Sequence, residues 1–417
     1  MRRRNLLPRI EDALADTPLV LLQGARQTGK TTLARELSES GTSTRRYVTL
    51  DDAAALAAAR SNPSAFLEGL GERATIDEVQ FAPSLFPAIK ALVDRDRAPG
   101  RFLLTGSANV LLLPKLAESL AGRTELLSLW PFSQGELEGV GETFIDWLLA
   151  EDDGTQFPSQ PPVPEPDDLW QRVLRGGYPE VQKRLAPRRR SAWFGSYVTT
   201  IIQRDVREFA NIADPSALQR LLELVAARNG SLANVSELSR SLAIPTSTLT
   251  RHVRLLEATF LLLHLRPWSG NLSKRLVKSP KVYLGDTGLA SSLLGCASVE
   301  DLARGSARGG LLENFVVTEL SKQLGWSDTP AQLFHYRTQS GQEVDVVLEA
   351  PSGKLGGIEV KASSSVSASD FDGLRHLRHA VGDRFTRGVL LYGGSEVLTF
   401  EPGLVAAPFS ALWAGHT

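Results

Sequence analysis

"PLVLLQGARQTGKTTLARELS", residues 18 to 38, joins a short apolar run to a helical pattern through the eight residues GARQTGKT. Leu19 to Leu22 reads as a strand, because a buried parallel strand is apolar throughout. Gly24, Ala25, Arg26, Gln27, Thr28, Gly29, Lys30 and Thr31 have the spacing GxxxxGKT between strand and helix. The glycines let the backbone turn its N–H groups inward around phosphates, Lys30 reaches the β- and γ-phosphates, and the Thr31 hydroxyl ligates Mg²⁺. Thr32 completes the expected nucleotide-binding set. The stretch predicts an ATP or GTP site on a parallel α/β sheet.

Later strands should supply the rest of that site. "RATIDEVQ" brings Asp77 and Glu78 to the end of a short run interrupted by Thr75. Asp77 is expected to hold Mg²⁺ through water and Glu78 to polarise the attacking water. "RFLLTGSAN" offers a strand over Phe102 to Leu104, with Thr105 and Ser107 placed to orient that water or to cap the strand. Arg123 in "LAGRTELL" reads either as an arginine finger for a neighbouring copy in a homo-oligomer or as a surface charge. "RRYVTLDD" gives one more strand ending in acids, and the alternation to about Leu129 argues for a parallel sheet.

A chain of 417 residues with a formal net charge of -1 has room for two or three cores, and any nucleic-acid partner must meet a local basic patch. Cys296 is the only cysteine, so no intrachain disulfide and no cysteine-rich zinc site is expected. "MRRRNLLPRI" lacks the long apolar segment of a secretion signal, and no run approaches the roughly 20 apolar residues of a membrane span. A cytoplasmic protein without membrane contact is the expectation.

Five parts are expected: 1–150 around the phosphate loop, an acidic proline-rich linker at 151–168, helices over 169–215, a third module at 216–300 and a last domain at 301–417. In the third, helical patterns at Leu218–Arg228, "VSELSRSLA" and "PTSTLTRHVRLLEATF" precede the strand-like "LLLHLRPW" and "KVYLGD". Three helices and a hairpin follow the winged helix-turn-helix order. Between Pro245 and Lys281, Arg251, Arg254, Arg266, Lys274, Arg275, Lys278 and Lys281 face a single acid, Glu257. Arg251, Arg254, Lys274, Arg275 and Lys278 are the expected phosphate contacts to nucleic acid, DNA first of all. Winged helices also serve as protein-binding modules.

"SGQEVDVVLEAPSGKLGGIEVKAS", residues 340 to 363, reads as a β-hairpin. Val344, Val346 and Leu348 face one side, with Glu343, Asp345 and Glu349 on the other. If the strands pair, Asp345 and Glu359 come close, and carboxylates about 4 Å apart repel by roughly 4 kcal/mol at an effective dielectric near 20. A cation or a proton would relieve that, although a solvated polar face is the plainer account. Glu343 and Glu349 read as surface charges at the strand ends.

The helix pattern "GGLLENFVVTELSKQLG", the strand "QLFHYRT", the hairpin, a helix from about Ser369 to Ala380 and the strand "GVLLYG" follow the order of the PD-(D/E)XK nuclease core. The whole chain resembles bacterial and archaeal AAA-type ATPases that carry a C-terminal domain of unknown function with a restriction-endonuclease-like core. "GARQTGKTTLARE", "IDEVQ", "LLTGSAN", "GGYPE", "LGDTGLA", "LLENFVVTEL" and "IEVKAS" carry the resemblance. It implies ATP binding, Glu313, Asp345 and Glu359 as Mg²⁺ ligands, and Lys361 as the residue that holds the attacking water or steadies charge on a phosphate. The expected fold is α/β throughout: a P-loop NTPase parallel sheet, a helical and winged-helix region, and a nuclease-like α/β domain. The expected function is ATP hydrolysis coupled to action on nucleic acid, with Mg²⁺-dependent phosphodiester cleavage by the last domain. The alternative is an ATP-driven switch or scaffold whose nuclease-like domain only binds.

Overall fold

The computed structural model describes residues 2–40, 45–107, 122–151, 168–205, 214–271 and 279–414. They form two compact units, one of residues 6–131 with 254–261, the other of residues 1–5, 132–253 and 262–417.

The first unit is built on five parallel strands: β1 (Leu19–Gln23), β2 (Arg46–Thr49), β3 (Ala74–Asp77), β4 (Phe102–Gly106) and β5 (Thr124–Ser128). Their order is β2-β3-β4-β1-β5. β1 lies between β4 and β5, with Leu19 opposite Phe102 and Thr124, and all five of its residues are buried. Leu21, Ile76, Ile89, Phe102 and Leu104 share one core beneath it. Thr75, the polar break expected to weaken β3, is buried but satisfied: the Ser38 hydroxyl donates to its Oγ1 at 2.8 Å. Parallel order places the loops after β1, β3 and β4 at the same end of the sheet, where such folds take their ligands.

The second unit holds β6 (Leu262–Pro267), β7 (Lys281–Leu284), β8 (Gln332–Arg337), β9 (Glu343–Glu349), β10 (Leu355–Lys361), β11 (Phe385–Tyr392), β12 (Leu398–Glu401) and β13 (Leu404–Pro408). They make one mixed sheet, β12-β13-β11-β10-β9-β8-β6-β7. Helices Pro215–Ala227, Val235–Leu242 and Thr246–Ala258 precede β6 in the expected order. The hairpin β6–β7 is continuous with the C-terminal strands, because β6 pairs in parallel with β8 through Arg266 opposite Phe334 and Pro267 opposite His335. β9 and β10 are antiparallel with Val346 opposite Ile358, so Asp345 and Glu359 follow as neighbours across the pair. The helix Arg308–Gln323 carries Glu313, and the helix Asp372–Val381 packs on β9, β10 and β11.

Candidate functional site

At the end of β1 the loop closes tightly. A Cβ on Gly24 would stand 2.2 Å from the Leu129 carbonyl oxygen, so this position admits only glycine. Gln27 and Gly29 both have positive φ, 63° and 99°, which curls the loop back on itself. Lys30 is buried, and its ammonium donates to the carbonyls of Gly24 at 2.9 Å and Ala25 at 2.8 Å. Thr28 donates to the Ala25 carbonyl at 3.0 Å, while Thr32 points outward on the following helix.

Asp77, 1% exposed at the end of β3, gathers three hydroxyls. Thr31 donates to its two oxygens at 3.0 and 3.2 Å, Tyr47 donates at 2.9 Å, and Thr105 also donates to it. Glu78 follows in the left-handed region, at φ 58° and ψ 45°, a costly conformation for a residue with a side chain. Its N–H donates to the Thr105 hydroxyl at 3.0 Å. Gln80 donates its amide to the Glu78 carboxylate and, at 3.0 Å, to Ser107. A connected set thus runs Thr31, Asp77, Thr105, Glu78, Gln80, Ser107. Tyr47 and Gln80 were missed in the sequence: each lies inside a quoted motif, but neither residue type announces a role there. Burial and the adjacent Asp77 charge push the Tyr47 hydroxyl up to about 12.

The residues present fit a magnesium nucleotide. The Thr31 hydroxyl and the Asp77 carboxylate stand together as the hydroxyl and acid that a hard cation takes. Arg123 lies just before the edge strand β5 and pairs within the chain, its Nη2 2.9 Å from Asp94.

In the second unit the carboxylates meet a cation that sequence reasoning counted elsewhere. Lys281, the first residue of β7, is 4% exposed at its side chain, and its ammonium lies 2.8 Å from Glu343, 3.2 Å from Glu313 and 3.2 Å from Asp345. Its placement in a basic surface patch is therefore corrected: it is an internal ion-pair partner. The reading of Glu343 as a surface charge is corrected with it. Burial alone would favour the neutral amine, but the oxygens of Tyr283, Asp345 and Glu313 outweigh it and hold the Lys281 pKa above the ordinary lysine value. Asp345 also accepts from the Val360 N–H at 3.0 Å, and Glu313 from Tyr283 at 3.2 Å.

Burial, then repulsion from Asp345, push Glu313 up to about 7, with Lys281 opposing. Burial and the same Asp345 charge raise Glu359 well above the carboxylate range, and its carboxyl hydrogen-bonds Asp345. Here the Lys281 ammonium relieves the crowding. Among the described residues, no group of three or more acidic, histidine or cysteine side chains is arranged to hold a metal ion. The donor oxygens suit a hard cation, yet as arranged they fit the ammonium of Lys281 and not Mg²⁺. Lys361, the last residue of β10, pairs with Asp370 in the short 3-10 helix Ala368–Phe371.

Arg251 and Arg254 are exposed on the helix Thr246–Ala258. Lys274, Arg275 and Lys278 lie outside the described residues. No helix among the described residues is long and apolar enough to cross a membrane.

Residues 16–138 match the model of an AAA domain, and residues 166–300 and 308–412 match two domains of unknown function, DUF8612 and DUF4143. An uncharacterized protein of Mycobacterium tuberculosis is 34% identical over 410 residues, 98% of this chain and 84% of that protein, and one from Mycobacterium bovis matches equally. Among solved structures, the Holliday junction branch migration motor RuvB of Thermotoga maritima covers 62% of this chain and 88% of its own at 17% identity and a TM-score of 0.28. AMPPCP-bound DnaA of Aquifex aeolicus covers 61% and 86% at 11% identity, also with a TM-score of 0.28. Neither superposition is close enough to bear on function.

Proposed function

This chain belongs to the same family as the two mycobacterial proteins, with an AAA domain at residues 16–138, and on that premise we propose that it hydrolyses ATP to drive an action on nucleic acid, DNA first of all. The observation that carries the proposal is the bonded set from Thr31 through Asp77 and Thr105 to Glu78. The loop N–H groups and Lys30 bind the β- and γ-phosphates, Lys30 exchanging the Gly24 and Ala25 carbonyls for phosphate oxygens. Thr31 and Asp77 hold Mg²⁺, which when bound neutralises charge on the phosphates. Glu78 accepts the proton of the attacking water. Gln80 and Ser107 fix its carboxylate, and Thr105 ties its backbone to Asp77. ATP turnover by the full chain tests this: Glu78→Gln should abolish it, and unchanged turnover would refute Glu78 as the base.

For the C-terminal part, the Lys281 ammonium among Glu313, Glu343 and Asp345 favours binding without cleavage. The protein is then a cytoplasmic ATP-driven switch whose nuclease-like domain binds its target. Plasmid and single-stranded DNA incubated with Mg²⁺ or Mn²⁺, with and without ATP, should stay intact. Cutting that disappears in Asp345→Ala would overturn this reading.

A further inference from the structure

The motif "YVTLDD", residues 47 to 52, sends its tyrosine, not its acids, to the ATP site. Asp51 is exposed, and Asp52 caps the helix Ala53–Ser61 by accepting from the Ala55 N–H at 2.8 Å. Thr49, opposite Asp77 in the β2–β3 pairing, gives its hydroxyl oxygen to the Asp51 N–H at 3.3 Å. Tyr47 stands opposite Thr75, two places from Asp77 on the same face of the sheet, a diagonal that a long aromatic side chain can span. Its phenol crosses that diagonal and donates to Asp77 Oδ2 at 2.9 Å. The Arg35 guanidinium lies 4.9 Å over the ring. Arg35 follows Thr31 by one turn of the helix Lys30–Ser40, so a single helix face carries the hydroxyl on Asp77 and the cation on Tyr47.

A carboxylate on a short stem turns easily, because rotation about its terminal bond is broad. A donor on one oxygen leaves that rotation loose, whereas donors on both oxygens stop it. Thr105 donates to Oδ1, and its own oxygen accepts the Glu78 N–H at 3.0 Å, so its single proton is committed there. Thr31 spans the two oxygens at 3.0 and 3.2 Å and favours neither. Tyr47 is therefore the donor that fixes Oδ2. Burial and the Asp77 charge push its pKa up to about 12, so the phenol keeps its proton through the neutral range.

We propose that Tyr47 is a positioning residue for Mg²⁺ in the ATP site: its hydroxyl holds the plane of the Asp77 carboxylate, so that Thr31 and Asp77 present their oxygens together. The inference rests on the ATP-hydrolysis reading above. A metal ligand oriented by a fixed outer partner binds its ion more tightly, and losing such a partner costs about 10- to 100-fold in metal affinity. Lys30 and the loop glycines take no part in this bond, so nucleotide held without Mg²⁺ does not depend on it.

The test is a fluorescent-nucleotide titration of the full chain, in EDTA and over a Mg²⁺ series. Tyr47→Phe keeps the ring beneath Arg35 and loses only the hydroxyl. It should bind nucleotide in EDTA as the wild type does, while the Mg²⁺ concentration that gives half of the tightening rises about 10-fold or more. Steady-state turnover should show the same shift in Mg²⁺ requirement, with most of the rate recovered at saturating Mg²⁺. Arg35→Met, which only loosens the ring, should shift it less and in the same direction. If Tyr47→Phe tightens at the same Mg²⁺ concentrations as the wild type, the ATP reading stands and the role of Tyr47 falls. An equal loss of nucleotide affinity with and without Mg²⁺, together with a lower urea midpoint, also overturns it, since that is what a purely structural tyrosine would do. A Mg²⁺ shift in a chain that shows no turnover supports Tyr47 and refutes hydrolysis. No Mg²⁺-dependent tightening in the wild type overturns both.

Discussion

The Lys281 ammonium and the Asp345 carboxylate, from strands at different positions of one sheet, stand 3.2 Å apart inside the second unit. Lys281 thereby joins the β6–β7 hairpin to the centre of the C-terminal sheet. Lys281→Met should cost about 3–5 kcal/mol, because it leaves Glu313, Glu343 and Asp345 crowded without their cation. Urea denaturation would show it. Adding Asp345→Asn to that variant should recover part of the loss; no recovery would mean that the pair is not what Lys281 supports.

In the ATP site, Glu78→Gln should reduce turnover by about 10²–10⁴-fold while leaving nucleotide affinity near wild type. Gln80→Ala should lower turnover less, since it only loosens the Glu78 carboxylate. Steady-state turnover together with a fluorescent nucleotide titration separates the two effects.

Thr105→Val removes the hydroxyl that bridges Asp77 and the Glu78 N–H, and about a tenfold loss of turnover is expected from one such bond. Thr105→Ser should restore most of it. Equal rates for Val and Ser would show that the methyl, not the hydroxyl, matters.

His335 is buried, and burial followed by the Lys281 charge depresses its pKa to about 4. The unfolded chain, with histidine near 6.5, binds the proton first as pH falls, so stability from this group is full above about pH 6.5 and lost toward pH 4. The loss should be on the order of 3 kcal/mol. Glu313 works in the opposite sense: its raised pKa stabilises below its unfolded value and the effect fades as pH rises toward 7. Comparing urea midpoints from pH 7 to pH 4.5, the acid-side fall should be shallower in His335→Gln and steeper in Glu313→Gln than in the wild type.

Arg123 pairs with Asp94 in its own chain, and service to a neighbouring copy requires that this pair open. Arg123→Ala should slow ATP turnover and weaken ATP-dependent assembly in sedimentation, whereas Asp94→Asn should do neither. A monomer with unaltered rate in both variants would reduce the pair to a surface feature.

The strands were legible where their pattern was local. β9 has the bounds its alternation predicts, Glu343–Glu349, and β1 extends the predicted apolar run by one residue. The phosphate loop, Asp77 and Glu78 were readable because each lies at the end of such a strand. β12 and β13 were not read: their runs are short and split by Pro402 and Gly403, and the pairing of β13 with β11 and of β12 with β13 is a property of the sheet. Lys281 was the larger miss. Its neighbours are basic, so local charge argued for solvent, while its partners Glu313, Glu343 and Asp345 come from distant parts of the chain. Glu343 was misread for the same reason, since nothing beside it in sequence reveals the ammonium it faces.

The parallel pairing of β6 with β8 sets a limit on dissecting the protein. A fragment beginning at residue 301 would lose β6, β7 and Lys281 together. The backbone donors and acceptors of β8 would become a raw edge ready to pair with another copy, and three carboxylates would be left facing one another. Such a fragment should come out of cells as aggregate, whereas a cut before the helix Pro215–Ala227 keeps the sheet whole.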